Sequence, residues 1–187
     1  MYDNQERELK IILTQDQFEK ILHSYDFEEP VTQINTYYDT ADESLKKEKS
    51  ALRIRQIGDQ NILTVKKPKD EITKYEYEFP VSENSITIDD LLPSEKDHLS
   101  AIISTDEPYY PTVTFMTTRY NLKTPHAVIS LDQTEFRNST DYELEYEYLD
   151  NHDGISRLNE FLKPAGITYK ENGPSKLARA MKDRLND

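Results

Sequence analysis

Residues 141–148 read Asp-Tyr-Glu-Leu-Glu-Tyr-Glu-Tyr. Glu143, Glu145 and Glu147 fall on one side of a period-2 pattern, and Leu144, Tyr146 and Tyr148 on the other. Alternation marks a strand, whose successive side chains point to opposite faces. Like charges at i, i+2 are neighbours, and an ordinary solvent face gains from mixed signs and hydroxyls instead. The pattern repeats along the chain. Ser130 and Asp132 oppose Ile129 and Leu131; Lys74, Glu76 and Glu78 oppose Tyr75, Tyr77 and Phe79; Thr64 and Lys66 oppose Leu63 and Val65. Arg53 and Arg55 oppose Leu52 and Ile54, and Glu6, Glu8 and Lys10 oppose Leu9, Ile11 and Leu13. Eight strands are predicted: that first segment and others at about 33–40, 51–57, 62–67, 74–81, 112–121, 127–134 and 141–149.

Eight antiparallel strands suffice to close a barrel. With the charged faces turned inward, the barrel becomes a tunnel of clustered carboxylates and bases. The outward apolar faces then need cover. Four helices are predicted to supply it. Thr14-Gln15-Asp16-Gln17 has the form of a capping box, followed by Phe18, Ile21, Leu22 and Tyr25 on one face. A second helix opens at Ser94 and carries Leu99, Ile102 and Ile103. A third carries Ile155, Leu158, Phe161 and Leu162 and stops near Pro164 and Gly166; a fourth begins near Pro174-Ser175. The expected class is α+β, an eight-stranded antiparallel closed barrel with helices outside, as a single domain over residues 1–187. Residues 82–111 are the expected place for a looser connection between two halves.

Composition narrows the partners. The 187 residues hold 23 Lys and Arg against 36 Asp and Glu, a net charge of −13. That field repels nucleic acid, so no nucleic-acid partner is expected, and it favours metal cations. Cysteine is absent, which excludes disulfides and thiolate zinc sites. No apolar run approaches the roughly 20 residues of a membrane helix, and residues 1–6 lack the basic and apolar regions of a signal peptide. A soluble cytoplasmic protein without a membrane partner is expected, as monomer or homodimer. With four glycines and no phosphate-binding glycine loop, a P-loop mechanism is excluded. His23, His98, His126 and His152 are scattered without metal-ligand spacing and read as structural or surface residues.

Both signs of charge on facing strands suit one ligand class. Arg and Lys recognise phosphate oxygens, and grouped carboxylates hold hard ions such as Mg²⁺ or Mn²⁺. The ordered motifs resemble those of the CYTH superfamily, the triphosphate tunnel metalloenzymes. Glu6-Arg7-Glu8-Leu9-Lys10 resembles its ExExK signature, Tyr37-Tyr38-Asp39-Thr40 its YxDT segment, Leu52-Arg53-Ile54-Arg55 its LRxR strand and Leu63-Thr64-Val65-Lys66 its LTxK strand. Glu76-Tyr77-Glu78 resembles its RxExE strand, with Lys74 where Arg is usual; Arg119, Leu131-Asp132, Glu143-Leu144-Glu145 and Ser175-Lys176 follow in family order. The match spans about residues 4–180.

The resemblance implies metal-dependent hydrolysis of a triphosphate, inorganic or nucleoside or thiamine-linked, with Mg²⁺ or Mn²⁺. It implies that Arg53, Arg55, Lys66 and Arg119 hold phosphate oxygens, with Lys74 beside them having lost the bidentate fork of Arg. Glu6, Glu8, Glu143 and Glu145 are the implied metal ligands, and Glu76, Glu78 and Asp132 complete the acidic shell. Lys10 and Lys176 meet the reacting phosphate. Glu147 reads equally as a ligand or as a solvent residue at the mouth. Two other readings stand beside this one: a class IV-type adenylyl cyclase making cyclic AMP from ATP, and a non-catalytic sensor of phosphorylated metabolites.

Overall fold

A computed structural model describes residues 5–85, 87–104 and 106–185; residues 1–4, read above for a signal peptide, lie outside these. Eight strands run as β1 (Gln5–Leu13), β2 (Val31–Thr40), β3 (Ala51–Ile57), β4 (Gln60–Pro68), β5 (Thr73–Val81), β6 (Tyr109–Lys123), β7 (Ala127–Glu135) and β8 (Thr140–Tyr148). They close into a barrel in the order β1-β5-β4-β3-β2-β6-β7-β8. The helices are α1 (Gln15–Ser24), α2 (Ser44–Lys47), α3 (Pro93–Ser100), α4 (Gly154–Phe161) and α5 (Lys176–Arg184). None is long and apolar enough to cross a membrane.

The chain forms two compact units. One takes Gln33–Phe115. Its β2, β3, β4 and β5 pair as antiparallel neighbours, with Tyr37 opposite Arg53, Arg53 opposite Thr64 and Thr64 opposite Glu78. The β3–β4 hairpin turns on Gly58, whose φ of 56° is the left-handed region open to glycine. Leu52, Ile54, Leu63 and Val65 form the apolar face of this sheet and are all but solvent-free. Ile88, Leu91, Leu99, Ile103 and Tyr109 cover them. Residues 82–111, the expected looser connection, thus send these five side chains into the core of this unit. The second predicted helix is also shorter than its pattern: it ends at Ser100, so Ile102 and Ile103 pack from the turn that follows.

The other unit takes Glu6–Thr32 and the chain from Met116 onward. Here β1, β8 and β7 pair side by side with the second half of β6, placing Lys10 opposite Glu145, Asp132 opposite Glu143 and Arg119 opposite Asp132. Thr14 caps α1 with the expected reciprocal box: its hydroxyl accepts from Gln17 N while Gln17 Oε1 accepts from Thr14 N. The helix buries Phe18 and Ile21, and Phe18 meets the Tyr142 ring at 5.0 Å. The last helix begins where expected, with Ser175 as its cap.

The four predicted helices are joined by a fifth, α2. It is one turn long and is preceded by Glu43 in the left-handed region at φ 59°. Asp39 holds it: its carboxylate accepts from Leu45 N at 2.9 Å and Lys46 N at 3.0 Å, two donors that a helix start leaves unpaired.

Candidate active site

Each unit carries one cluster of opposite charges on the polar face of its strands. In the unit of Gln33–Phe115, strand parity sets Arg53, Arg55, Thr64, Lys66, Lys74, Glu76 and Glu78 on a common face. Arg53 Nη2 lies 3.4 Å from Glu78 Oε1 and 3.5 Å from Glu76 Oε1. Lys66 Nζ reaches Glu76 Oε2 at 3.0 Å, and the Thr64 hydroxyl donates to Glu78 Oε1 at 3.0 Å. Arg55 Nε donates to Asn35 Oδ1 at 3.1 Å. Lys74 sits one repeat further along β5, opposite Pro68. Burial raises the Glu78 carboxyl, but Arg53 and Arg55 outweigh it and hold the group below its ordinary range.

Tyr37 belongs to this cluster. Sequence alone reads Tyr37 and Tyr38 as mainly packing residues, with one hydroxyl able to reach the lumen, and the Tyr37 ring does stack on Phe115 at 5.5 Å. Its hydroxyl, however, bonds Arg53. Burial pushes that hydroxyl up, while Arg53, Lys66 and Arg55 together bring it below the ordinary tyrosine value. Arg53 Nε is a buried donor with no hydrogen-bond partner among the described residues, a costly state that an anion would relieve.

The second cluster is tighter. One oxygen each of Asp132, Glu143 and Glu145 lie within 4.8 Å of one another. Arg119 grips Asp132 with both prongs, Nε to Oδ1 at 2.8 Å and Nη2 to Oδ2 at 2.6 Å, and Nη2 also meets Glu145 Oε2 at 2.5 Å. Lys10 Nζ lies 2.9 Å from Glu8 Oε1 and 3.3 Å from Glu145 Oε1. Lys176, at the start of α5, enters between the three carboxylates: it is 2.7 Å from Asp132 Oδ2, 2.9 Å from Glu145 Oε1, and bonded to Glu143. Glu6 is half-buried on β1, sharing the parity of Glu8 and Lys10, while Glu147 stands opposite Glu8 across the β1–β8 pair.

Burial opposes charge on Lys10, Arg119, Asp132, Glu143, Glu145 and Lys176, and on all of them but Glu143 the opposite charges outweigh it. Lys176, Lys10 and Arg119 drive Glu145 well below the carboxylate range despite its burial. Arg119 and Lys176 also outweigh burial at Asp132 and hold it below its ordinary value. Glu143 goes the other way: burial and the neighbouring Glu145 together overcome Lys176 and raise it. Burial lowers Lys10 and Lys176, but the carboxylates around each outweigh it and leave both ammonium groups harder to deprotonate than usual.

Arg179, one turn beyond Lys176 on α5, was not anticipated. Its Nε donates to Asp141 Oδ2 at 2.6 Å, and Nη2 lies 2.6 Å from Glu143 Oε2 outside hydrogen-bonding alignment. The only signal for it in the sequence is its helical spacing from Lys176, which places both on one face. His126 and His152, expected to be scattered, instead meet on Asp150.

The arrangement can hold a cation. An ammonium already sits against all three carboxylates of Asp132, Glu143 and Glu145, and an all-oxygen donor set suits Mg²⁺ or Mn²⁺.

Comparison with known proteins agrees with this chemistry. A family model described as the CYTH domain matches residues 4–180. A protein of Bacillus subtilis (strain 168), YjbK, named as a candidate triphosphatase, is 32% identical over 171 residues, 89% of each chain. Among solved structures, HpAC1 from Hippeastrum, described as a candidate adenylyl cyclase with a dominant triphosphatase activity, superposes with a TM-score of 0.78 at 25% identity and 95% coverage of each chain. A candidate adenylate cyclase from Bacillus halodurans shares the fold at a TM-score of 0.67 and 23% identity, covering 94% of this chain and 98% of its own.

Proposed function

Because the chain belongs to the CYTH domain family, we propose that it is an enzyme hydrolysing a small triphosphate with a divalent ion, Mg²⁺ or Mn²⁺. The substrate is inorganic triphosphate or a nucleoside or thiamine triphosphate. The observation that carries this reading is the Asp132, Glu143 and Glu145 cluster, which gathers two buried carboxylates and a half-buried one around the Lys176 ammonium. The relative YjbK, a candidate triphosphatase, supports the reaction class.

In this reading Glu143, Glu145 and Asp132 hold the ion, with Glu6 and Glu8 of β1 as further carboxylate ligands. The ion, when bound, neutralises phosphate charge and polarises the phosphoryl oxygens. Arg53, Arg55 and Lys66 take phosphate oxygens, and the unpartnered Arg53 Nε gives that group a donor to spare. Arg119 does the same, oriented by its two-pronged hold on Asp132. Glu76 and Glu78 balance and aim the bases of β3 and β4, and Lys74 adds a single unforked charge. Lys10 and Lys176 stabilise the charge that builds on the transferred phosphoryl group. Phosphoryl transfer asks chiefly for such positioning and electrostatics. The protein works in the cytoplasm, as monomer or homodimer.

The name of HpAC1 as a candidate cyclase keeps one alternative open, attack of the ribose 3′-oxygen on the α-phosphate of ATP. A panel of triphosphates, each with Mg²⁺ and with Mn²⁺ and with product identification, tests both. Metal-dependent release of orthophosphate is expected. Cyclic AMP with pyrophosphate establishes the cyclase instead, and no metal-dependent turnover of any member overturns the enzymatic reading.

A further inference from the structure

We propose that His126, Asp150 and His152 form a second metal site, separate from the carboxylate cluster, for a borderline divalent ion of the Zn²⁺ class. His126 stands in the turn between β7 and the strand before it, and Asp150 and His152 in the connection from β8 to α4. The two segments are tied by a backbone bond from Leu149 N to His126 O at 2.9 Å. Across this join both imidazoles aim Nδ1 at the same carboxylate, His126 at Asp150 Oδ2 and His152 at Asp150 Oδ1, each at 2.7 Å. One ligand atom from each residue lies within 4.8 Å of the others. The ligands of a tetrahedral zinc ion stand roughly 3.3–3.5 Å apart, given bonds of about 2.0–2.2 Å. Small side-chain rotations close the gap.

The surroundings fix the geometry. Tyr146 Oη lies 2.7 Å from His152 Nε2, so Nε2–H can donate to that hydroxyl while Nδ1 faces the ion. A partner on the second ring nitrogen is what sets the tautomer and orientation of a ligating histidine. The Tyr148 ring packs 4.9 Å from His152, and the close approach of Gly154 lets it do so: a Cβ there would fall 2.3 Å from the Tyr148 ring. His152 is thus held with a side-chain exposure of 10%, while His126, at 38%, leaves a path to solvent.

The donor chemistry selects the ion. Two imidazoles and one carboxylate suit Zn²⁺, Cu²⁺ or Ni²⁺ and are poor ligands for Mg²⁺. The carboxylate cluster has the opposite preference, so one chain carries a hard-ion site and a borderline-ion site. The protein supplies three ligands and water the fourth. The bound ion staples the turn after β6 to the connection leading into α4.

Cu²⁺ is the probe that separates the two sites, since bound imidazole nitrogens give superhyperfine splitting in its electron paramagnetic resonance spectrum and carboxylate oxygens do not. The experiment adds one equivalent of Cu²⁺ to the full chain in excess Mg²⁺, and in parallel titrates Zn²⁺ calorimetrically. Coupling to two nitrogens is expected, with one equivalent of Zn²⁺ bound. His126→Gln should remove one nitrogen and weaken Zn²⁺ at least tenfold, with Mg²⁺-supported turnover unchanged. Tyr146→Phe keeps the ring and should weaken Zn²⁺ by about 10–100-fold through lost orientation. Coupling to fewer than two nitrogens, or a spectrum unchanged in His126→Gln and His152→Gln, overturns the proposal.

Discussion

Glu145 stands among three cations, Lys10, Arg119 and Lys176, whereas Arg55 belongs to the other cluster, donating to Asn35 and facing the charge of Glu78. The two residues should therefore fail differently. Glu145→Gln leaves buried ammonium and guanidinium groups short of charge, a kind of loss that costs about 3–5 kcal/mol, so a lower denaturation midpoint is expected. It should also weaken metal, and added Mg²⁺ should partly restore its turnover. Arg55→Ala removes one charge-assisted contact, about 1.5–3 kcal/mol or roughly 10–150-fold in triphosphate affinity, and extra Mg²⁺ should not repair it. Titrating metal against both variants checks this, and identical responses would refute the assignment of roles. The same residues set the acid limit of the fold. Asp132, Glu145 and Glu78 are held below their ordinary values, so the stability they contribute is present above about pH 4 and drains away as pH falls through their lowered values. Glu143, raised, works in the opposite sense. Denaturation midpoints should fall as pH drops below about 4, where Glu143 is protonated in the folded and the unfolded chain alike and adds no further change; midpoints that hold or rise there would refute this account.

At the scale of elements, α5 acts as a bracket. Its first turn presents Lys176 and Arg179 to the carboxylates, and its last turn is anchored by Asp183, which accepts from Asn138 N at 2.9 Å and from the Ser139 hydroxyl at 2.6 Å in the β7–β8 turn. Asp183→Ala should loosen the helix and lower turnover by about tenfold or more, because small misplacements of a positioned group are costly. A steady-state comparison of kcat with fluorescence-monitored unfolding separates this from global destabilisation. The strands and their faces were legible because period 2 leaves no ambiguity about which side a residue takes. Helix α2 was not, since one turn is too short to show a period and its start is fixed by Asp39 from the strand before it. Which of Tyr37 and Tyr38 turns its hydroxyl inward was illegible for a different reason: the answer depends on standing opposite Arg53, and cross-strand register is absent from either strand alone. Arg179 lies on a helix whose charges resemble a solvated face, and His126 and His152 are joined only by the β7–β8 pairing, so neither showed the spacing of a linear motif.

For the whole molecule, a net charge of −13 opposes the approach of a free polyanion. A triphosphate neutralised by a divalent ion is the species that the proposed site favours, and it binds only the folded barrel. At about 100 times the dissociation constant this adds roughly 2.7 kcal/mol, or roughly 5–10 °C in Tm for a chain of this size. Differential scanning fluorimetry with Mg²⁺ and triphosphate should show that rise, with orthophosphate giving much less; indifference to both would count against the reading. The Lys176 ammonium has a corollary for life without the ion. The fold carries its own counterion for the three carboxylates of Asp132, Glu143 and Glu145. Withholding Mg²⁺ and Mn²⁺ should therefore silence the enzyme while leaving its melting curve nearly where it was, and Lys176→Ala should make that curve sensitive to their removal. Folding and catalysis would then answer to different chemical supplies. The chain could be made and kept intact during ion scarcity, and it would regain activity when the ion returned, with no refolding step in between.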